Sequence, residues 1–240
     1  MVNPDGVFFG NHRTGLLGQD FNRHFDTDEE EFFPEVVAVK TLVHSLKKRG
    51  KVRFLFDLHG HSAKRGIFAY AAEEDKTCAR FVYNRIIPKL IEKRFSLFEY
   101  GECAFRNSKE KKDTARVYFM LKEKITAVTF EQSYSLYYDA KLRKNQPIGV
   151  RNWANFGRAL AESLEDYINL IEAKEDVVQT LRDFMPEEFV EPEPESCQEP
   201  EPERTHVRTN KSEAYEEIAS RGSVSRTSSN VLPTRTELPN

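Results

Sequence analysis

The side chains most able to do chemistry in this sequence fall in four short polar clusters. The clusters are residues 3–6 (NPDG), Arg13 with residues 20–23 (DFNR), residues 57–62 (DLHGHS) and residues 129–131 (TFE). Taken alone, NPDG predicts a tight turn, because Pro fixes φ, Asp bonds locally and Gly accepts positive φ. An Asn-Arg pair is by itself typical of a solvated surface. The last two clusters carry more specific chemistry.

The histidine cluster DLHGHS directly follows an apolar run of strand length. His59 therefore leaves the C-terminal end of a predicted strand, where a neutral imidazole can face a cleft and bind a metal ion. A hydrogen-bonded structural histidine is the alternative, and the residue alone does not decide between the two. Of the two imidazoles in the cluster, we expect one to be a ligand, His59, and not both His59 and His61.

Glu131 follows another apolar run, ITAVTF. A carboxylate at the end of a buried strand is partly removed from water, and this raises its pKa. A raised carboxylate pKa is how proteins tune a general base to neutral pH. An exposed charge at a strand end is the alternative. Glu131 is thus a candidate base.

The elements that must hold these clusters alternate between strands and helices. Apolar spacing predicts an amphipathic helix over residues 34–49, which Pro34 can begin and Gly50 can stop. Further strands are predicted from short apolar runs and further helices from longer periodic ones. The strands are residues 52–58, 66–71 and 125–130, with an extended segment at 98–105, and the helices are residues 78–95, 115–124 and 151–171. This alternation predicts an α/β fold.

Charge is divided unevenly along the 240 residues. The chain has 36 Lys and Arg against 39 Asp and Glu, but residues 186–240 hold 12 of the acids and 6 of the bases. The first 185 residues therefore carry a small positive excess, which excludes a strong field for nucleic acid and suits small anionic substrates. Residues 186–204 are mainly Glu and Pro, and residues 205–240 are rich in Ser, Thr and Arg. We predict that residues 186–240 are a disordered tail.

Membrane and secretory signals are not found in the sequence. No run approaches the roughly 18 apolar residues of a membrane span, and residues 1–20 lack the apolar core of a secretory signal. The three cysteines, Cys78, Cys103 and Cys197, show no ligand or disulfide spacing, which fits a reducing compartment. We therefore expect a cytoplasmic protein that binds no membrane.

Five motifs in one order make the sequence resemble a known family. They are NPDGVFFGNHR, GQDFNRHF, DLHGHS, TARV and TFEQS, spread over about residues 1–171. The order resembles the zinc carboxypeptidases of the carboxypeptidase A superfamily, and most closely the cytosolic carboxypeptidase branch, which removes glutamate from protein C-termini and from tubulin side chains.

The resemblance implies both a fold and an activity. The fold is a mixed central sheet flanked by helices, and the activity is the release of C-terminal glutamate with Zn²⁺ as cofactor. The implied partners are acidic protein C-termini, with tubulin as a candidate, and the implied places of action are microtubules or cilia. It does not predict an oligomeric state.

Three residues match the family's catalytic positions. His59 matches its third zinc ligand. Glu131 matches the glutamate that activates the attacking water and then protonates the leaving amine, which suits a carboxylate beside a Lewis-acidic metal. Arg13 matches the arginine that stabilises the oxyanion of the tetrahedral intermediate.

Three more residues match the family's substrate-binding positions. Asn22 and Arg23 match the pair that holds the terminal carboxylate, a task that suits the guanidinium fork. Arg116, in DTARV where relatives carry GTGRV, matches a basic residue in the pocket for the terminal side chain. A cation there favours a terminal glutamate or aspartate. No single tyrosine of this chain matches the family's substrate-capping tyrosine.

The family's HxxE motif, which supplies the other two zinc ligands upstream of NPDG, is absent from the sequence. None of the six histidines is followed by Glu three residues later, so His59 is one of three expected protein ligands. Either residues 1–185 are a partial, N-terminally incomplete carboxypeptidase domain, or the chain is an inactive relative that binds acidic peptide C-termini. We favour the first interpretation, because the five other matched residues are all present.

Overall fold

The computed structural model describes residues 1–50, 52–72, 79–106, 108–172 and 179. The helices are α1 (Pro4–Phe8), α2 (Pro34–Arg49), α3 (Ala79–Arg94), α4 (Ala115–Leu121) and α5 (Val150–Glu172), with 3₁₀ turns at Phe21–Arg23, Tyr100–Glu102 and Lys109–Lys111. The strands are β1 (Phe54–His61), β2 (Ile67–Ala71), β3 (Ala104–Phe105), β4 (Thr126–Ser133), β5 (Leu136–Asp139) and β6 (Lys144–Pro147). The predicted tail and its boundary near residue 185 lie outside the described residues, as do Cys78 and Cys197. No described helix is long and apolar enough to cross a membrane.

The central sheet has four strands in the order β1-β4-β2-β3. β1 runs parallel to β4, β2 runs antiparallel to β4, and β3 runs parallel to β2. Strands β5 and β6 form a separate antiparallel hairpin. The predicted fold class, a mixed sheet flanked by helices, is confirmed.

Helices cover both faces of this sheet. On one face, Val128 and Phe130 of β4 pack in a cluster with Ile87 of α3 and Phe156 of α5. On the other face, Ala127 packs with side chains of α2 and α4. Alternate residues of β4 thus enter opposite cores, as the period of two in a strand requires. Each large side chain that is fully buried contributes about 1.5–3 kcal/mol to folding.

Helix α2 has the same bounds in the structure as in the sequence prediction. Pro34 occupies its first turn, and the N–H of Gly50 donates to Leu46 O at its end. Three cations stand in the last turn, where the helix dipole favours positive charge. The local signals for this helix are therefore sufficient to define it.

Several other predicted boundaries are wrong. β1 continues to His61 rather than ending at residue 58, and β4 continues to Ser133 rather than ending at residue 130, because their parallel pairing persists to His61↔Ser133. The segment predicted as extended contains the 3₁₀ turn Tyr100–Glu102 and only a two-residue strand. Helix α4 ends at Leu121, three residues early, shortly before Lys124 adopts a φ of 57°.

The NPDG segment forms a short helix rather than an isolated turn. The side chain of Asn3 accepts a hydrogen bond from the N–H of Gly6, and Pro4 occupies the first turn. Asn is a favoured N-cap and Pro a favoured first helical residue.

The sequence analysis also did not predict the β5–β6 hairpin.

Candidate active site

The candidate site lies where β1 and β4 end side by side. The parallel register pairs His59 with Glu131, and β2 brings Phe68 to the other side of Glu131. A cleft of about 870 Å³ opens at this end of the sheet. All six residues that the sequence predicts as site residues line it: Arg13, Asn22, Arg23, His59, Arg116 and Glu131.

His59 is held between two carboxylates. Its Nε2 lies 2.7 Å from Asp57 Oδ2, and its Nδ1 lies 4.0 Å from Glu131 Oε1. Burial opposes the protonated ring, but the hydrogen bond to Asp57 and the charges of Asp57 and Glu131 outweigh it and raise the pKa of His59. When the ring is neutral, an Nε2–H donated to Asp57 leaves the Nδ1 lone pair directed towards Glu131. Asp57 thus orients the imidazole.

Glu131 is only 12% exposed. Burial raises the pKa of Glu131 above the usual glutamate range, and the charge of Asp57 adds to this, whereas His59, His61 and Arg116 oppose it. The direction of the shift is that of a carboxylate suited to accept a proton near neutral pH. The choice of Glu131 as a base stays a prediction.

His61 has a different environment from His59. Its Nδ1 accepts hydrogen bonds from the backbone N–H groups of Ala63 (3.1 Å) and Lys64 (3.0 Å). Its ring packs edge-on against Phe68, with centroids 5.4 Å apart. These contacts hold the turn after β1, and they give His61 a structural role.

Asp20 joins the residues of the second polar cluster. Its Oδ2 lies 2.8 Å from Arg13 Nη2 and 3.7 Å from Arg23 Nη1. Its Oδ1 accepts from the backbone N–H of Asn22 at 3.0 Å. Sequence reasoning gave Asp20 no role of its own, although it stands in the GQDFNRHF motif. In the structure, one carboxylate positions both candidate arginines.

The loop that carries Asn22 is bonded to the start of α4. Asn22 Oδ1 accepts from the N–H of Ala115 at 2.8 Å, and the N–H of Phe25 donates to Asp113 O at 3.0 Å. These bonds place Arg23 and Arg116 on the same wall of the cleft. They also leave the amide Nδ2 as the group that Asn22 can direct at a carboxylate.

Arg116 carries a polar atom that is buried without a partner. Its Nε has no hydrogen bond among the described residues, and its guanidinium carbon lies 5.6 Å from the centroid of the Tyr70 ring. Burial lowers the pKa of Arg116, and Arg23 lowers it further. A buried, unpaired donor is unusual in proteins and costs stability, so an anionic ligand at this point would satisfy it.

Lys111 and Tyr134 also line the cleft, and sequence reasoning missed both. Burial lowers the pKa of Lys111, and the nearby charges of Arg23 and Arg116 lower it further. Tyr134 lies over Gly60, where an added Cβ would overlap its ring. The run KEKKD before TARV and the glycine of DLHGHS are the signals that could have indicated these residues.

A zinc site is not complete among the residues that the structure describes. Within those ranges, no group of three or more His, Cys, Asp or Glu side chains is arranged to hold a metal ion. Catalytic zinc usually has three protein ligands and a water molecule. His59 as one metal ligand stays a prediction, and the described residues do not fit a whole metal centre.

Comparison with known proteins identifies the family. The chain is 31% identical to mouse cytosolic carboxypeptidase 3 over 173 residues, which are 70% of this chain. It is 37% identical to the bovine cytosolic carboxypeptidase 3 over 119 residues (49% of this chain), and 33% identical to mouse cytosolic carboxypeptidase 2 over 135 residues (56% of this chain). The chain belongs to the cytosolic carboxypeptidase branch of the zinc carboxypeptidase superfamily. The family predicted from the five motifs is thereby confirmed.

The match covers only part of each relative. The chain spans 17% of the length of mouse cytosolic carboxypeptidase 3, 12% of bovine cytosolic carboxypeptidase 3 and 16% of mouse cytosolic carboxypeptidase 2. No protein-family model matches the sequence.

Solved carboxypeptidases share the fold. A metallo-carboxypeptidase from Burkholderia cenocepacia aligns with a TM-score of 0.61 and 20% identity, over 71% of this chain and 43% of its own. A metallo-carboxypeptidase from Pseudomonas aeruginosa, in complex with (2-guanidinoethylmercapto)succinic acid, aligns with a TM-score of 0.55 and 23% identity, over 71% of this chain and 44% of its own. The partial coverage agrees with the predicted incomplete carboxypeptidase domain.

Proposed function

We propose that this chain provides the substrate-binding wall and the general base of a metallocarboxypeptidase that releases C-terminal glutamate from proteins. One observation carries the proposal. Arg13, Arg23 and Arg116 line the same cleft as the buried carboxylate of Glu131, so groups that bind anions stand beside a group that can accept a proton.

The cations have separate tasks in this proposal. Arg23 and the Nδ2 group of Asn22 bind the terminal carboxylate, because a guanidinium can donate two parallel hydrogen bonds to it. Arg116 binds the acidic side chain of the last residue, and its unpaired Nε gains a partner. Lys111 adds positive charge on the same side. A terminal lysine would place a fourth cation there and is expected to be excluded.

Glu131 and Arg13 act on the scissile bond. Glu131 takes a proton from the attacking water while the oxygen of that water bonds to the carbonyl carbon. Arg13 stabilises the oxyanion that forms, once it shares its charge between Asp20 and the substrate. Glu131 then gives the proton to the leaving amine as the C–N bond breaks. The described residues supply one candidate metal ligand, and no step is assigned to a metal.

The proposed substrates are proteins with acidic C-termini, and tubulin tails are the leading candidate. A cleft lined by five cations suits a chain of several glutamates better than a neutral peptide: Arg13, Arg23, Arg106, Lys111 and Arg116. The relatives are named cytosolic carboxypeptidases, and we propose that this chain also acts in the cytoplasm, at microtubules or cilia.

Peptide binding by the 240-residue chain tests the binding part directly. We expect a fluorescent peptide that ends in Glu-Glu to bind at least about tenfold more tightly than its C-terminal amide, since a charged hydrogen bond contributes about 1.5–3 kcal/mol. Arg116→Met should remove the preference for terminal Glu over terminal Ala. Lys111→Met should weaken binding about two- to fivefold, whereas the adjacent exposed Lys112→Met should not change it. Equal affinities for the acid and the amide would contradict the proposal.

Glutamate release tests the catalytic part. The chain is co-expressed with the part of the mouse cytosolic carboxypeptidase 3 catalytic domain that it does not match, and zinc is supplied. We expect release of glutamate from the Glu-Glu peptide and little release from a Lys-ended peptide. A zinc-loaded preparation that binds the peptide and releases no glutamate would overturn the catalytic part of the proposal.

The second candidate is a metal-free binding module. It is favoured by one observation, the lack of a three-ligand metal group among the described residues. It requires the purified chain to bind the Glu-ended peptide with less than about 0.1 zinc per chain by elemental analysis, and to remain inactive when co-expressed as above. Release of glutamate by the co-expressed preparation would exclude it.

A further inference from the structure

Helix α2 buries a lysine in the middle of its apolar face. The buried residues of this helix are Val36, Lys40 and Val43, which stand four and three residues apart and therefore share one face. A leucine or methionine at position 40 would complete the apolar stripe, and lysine is rarely buried unless it is paired. A residue that departs from the local pattern in this way often serves a site.

The ammonium group of Lys40 has a full set of partners. Its Nζ donates to Phe25 O at 3.4 Å, to Thr27 O at 2.5 Å and to Asp28 Oδ1 at 2.5 Å. An ammonium has three N–H donors, and three acceptors use them all. Since a buried charge without partners is very unfavourable, these bonds hold residues 25–28 firmly against α2.

Residues 25–28 directly continue the loop that carries Asn22 and Arg23. Phe25 is held on both sides, because its N–H donates to Asp113 O at 3.0 Å and its C=O accepts from Lys40. Only one residue separates Phe25 from Arg23. The bonds of Lys40 therefore restrict the path of the backbone at Arg23.

Lys40 acts from outside the cleft. Of the described residues, those that line the cleft include Asn22, Arg23 and Phe25 but not Lys40. Its ammonium can thus influence a bound peptide through the loop, and not by touching the peptide.

We propose that Lys40 is a positioning residue for the terminal carboxylate: by fixing residues 25–28 it aims Arg23 and the Nδ2 group of Asn22 at that carboxylate. The inference rests on the proposed function, which assigns these two groups to the carboxylate. A guanidinium must align with both carboxylate oxygens to form two parallel bonds, and a small displacement of its backbone removes much of the gain. Recognition of the terminal side chain by Arg116 does not depend on this loop.

Two ratios of peptide affinity test the inference on the 240-residue chain. The first compares the Glu-Glu peptide with its C-terminal amide, and the second compares terminal Glu with terminal Ala. In Lys40→Met, we expect the acid-over-amide ratio to fall at least about fivefold, whereas the Glu-over-Ala ratio should stay within about twofold. Met can keep the contact with the ring of Tyr118, which lies 5.2 Å from Lys40 Nζ. A general loosening of the fold would instead lower both ratios.

Lys47→Met is the matched control on the same helix. Lys47 Nζ also donates to a carbonyl and a carboxylate, Glu123 O and Oε2, each at 3.0 Å, but it does not bond to residues 25–28. Both ratios should be unchanged in this variant.

A double-mutant cycle shows whether Lys40 acts through Arg23. In an Arg23→Met background, Lys40→Met should cause no further fall of the acid-over-amide ratio. In an Arg116→Met background, the fall should be as large as in the original chain, since independent sites add.

A urea transition checks that each variant folds, and Lys40→Gln, which also loses the charge, is the second variant if Lys40→Met does not fold. The same fall is expected. An acid-over-amide ratio preserved within about twofold in a folded variant, or an equal fall of both ratios, would overturn the inference. Loss of folding in both variants would assign Lys40 to stability and would also overturn it. Equal affinities of the original chain for acid and amide would overturn the proposed function itself, and this role of Lys40 with it.

Discussion

The two edges of the four-stranded sheet differ in length and in what lies beside them. β3 contributes two residues, which pair with Tyr70 and Ala71 of β2. β1 contributes eight residues and carries Asp57 and His59 of the candidate site. A short edge offers little backbone to another chain, whereas a long apolar edge is a template for pairing.

A local contact joins the segment before β3 to β2. The Sγ of Cys103, just before β3, accepts from the N–H of Ala69 at 3.1 Å, and burial raises the pKa of this thiol to about 12. The β1 edge carries residues of the site instead. Among the residues that the structure describes, β1 and β3 are the outer strands of the sheet, and the candidate site lies beside β1, the longer of the two.

The largest expected effect lies on β4, next to the β1 edge. Glu131→Gln cannot accept a proton, and we expect it to lower the rate of glutamate release by about 10³-fold in the co-expressed preparation, within the range for removal of a general base. Peptide affinity should stay within about threefold of the original, and Glu162→Gln on the exposed surface of α5 should leave the rate unchanged. A fall of less than about tenfold would show that Glu131 is not the base.

Unfolding free energies distinguish the interior of the sheet from its open edge. Phe130 of β4 is fully buried, so we expect Phe130→Ala to lower the free energy of unfolding by about 3–5 kcal/mol. Leu58 on β1 is 58% exposed, and Leu58→Ala should change the free energy of unfolding by less than about 0.5 kcal/mol. Urea denaturation of the chain measures both. Similar losses at the two positions would mean that the β1 edge is already covered in the chain alone.

The smallest expected effect concerns the end of β1. In Gly60→Ala, the new methyl group overlaps the ring of Tyr134, which must move away from the cleft. We expect affinity for the Glu-ended peptide to fall about two- to tenfold, the loss that corresponds to one aromatic contact. Gly149→Ala is the matched control, because an added Cβ there meets no atom within 4 Å. Unchanged affinity would remove Tyr134 from the binding site.

Elements whose signals lie within a few residues were predicted well. Pro34 and Gly50 define α2 because they act on the first and last turns of the helix itself. The ends of β1 and β4 were not predicted, since their polar residues read as loops until the pairing of His59 with Glu131 is known. The hairpin was missed for a related reason: its strands LYYD and KNQP lack the alternation of a buried strand.

The sequence by itself determined which side chains can bind an anion or move a proton, because their types and motif order are local properties. Tertiary structure alone decided how they are held. Asp20 joins Arg13 to Arg23, and Asn22 bonds to Ala115, 93 residues away. It also showed that β1, an interior strand by composition, lies at an edge of the sheet that the described residues form. Such contacts depend on which distant segments pack together, and a single sequence carries no local signal for that.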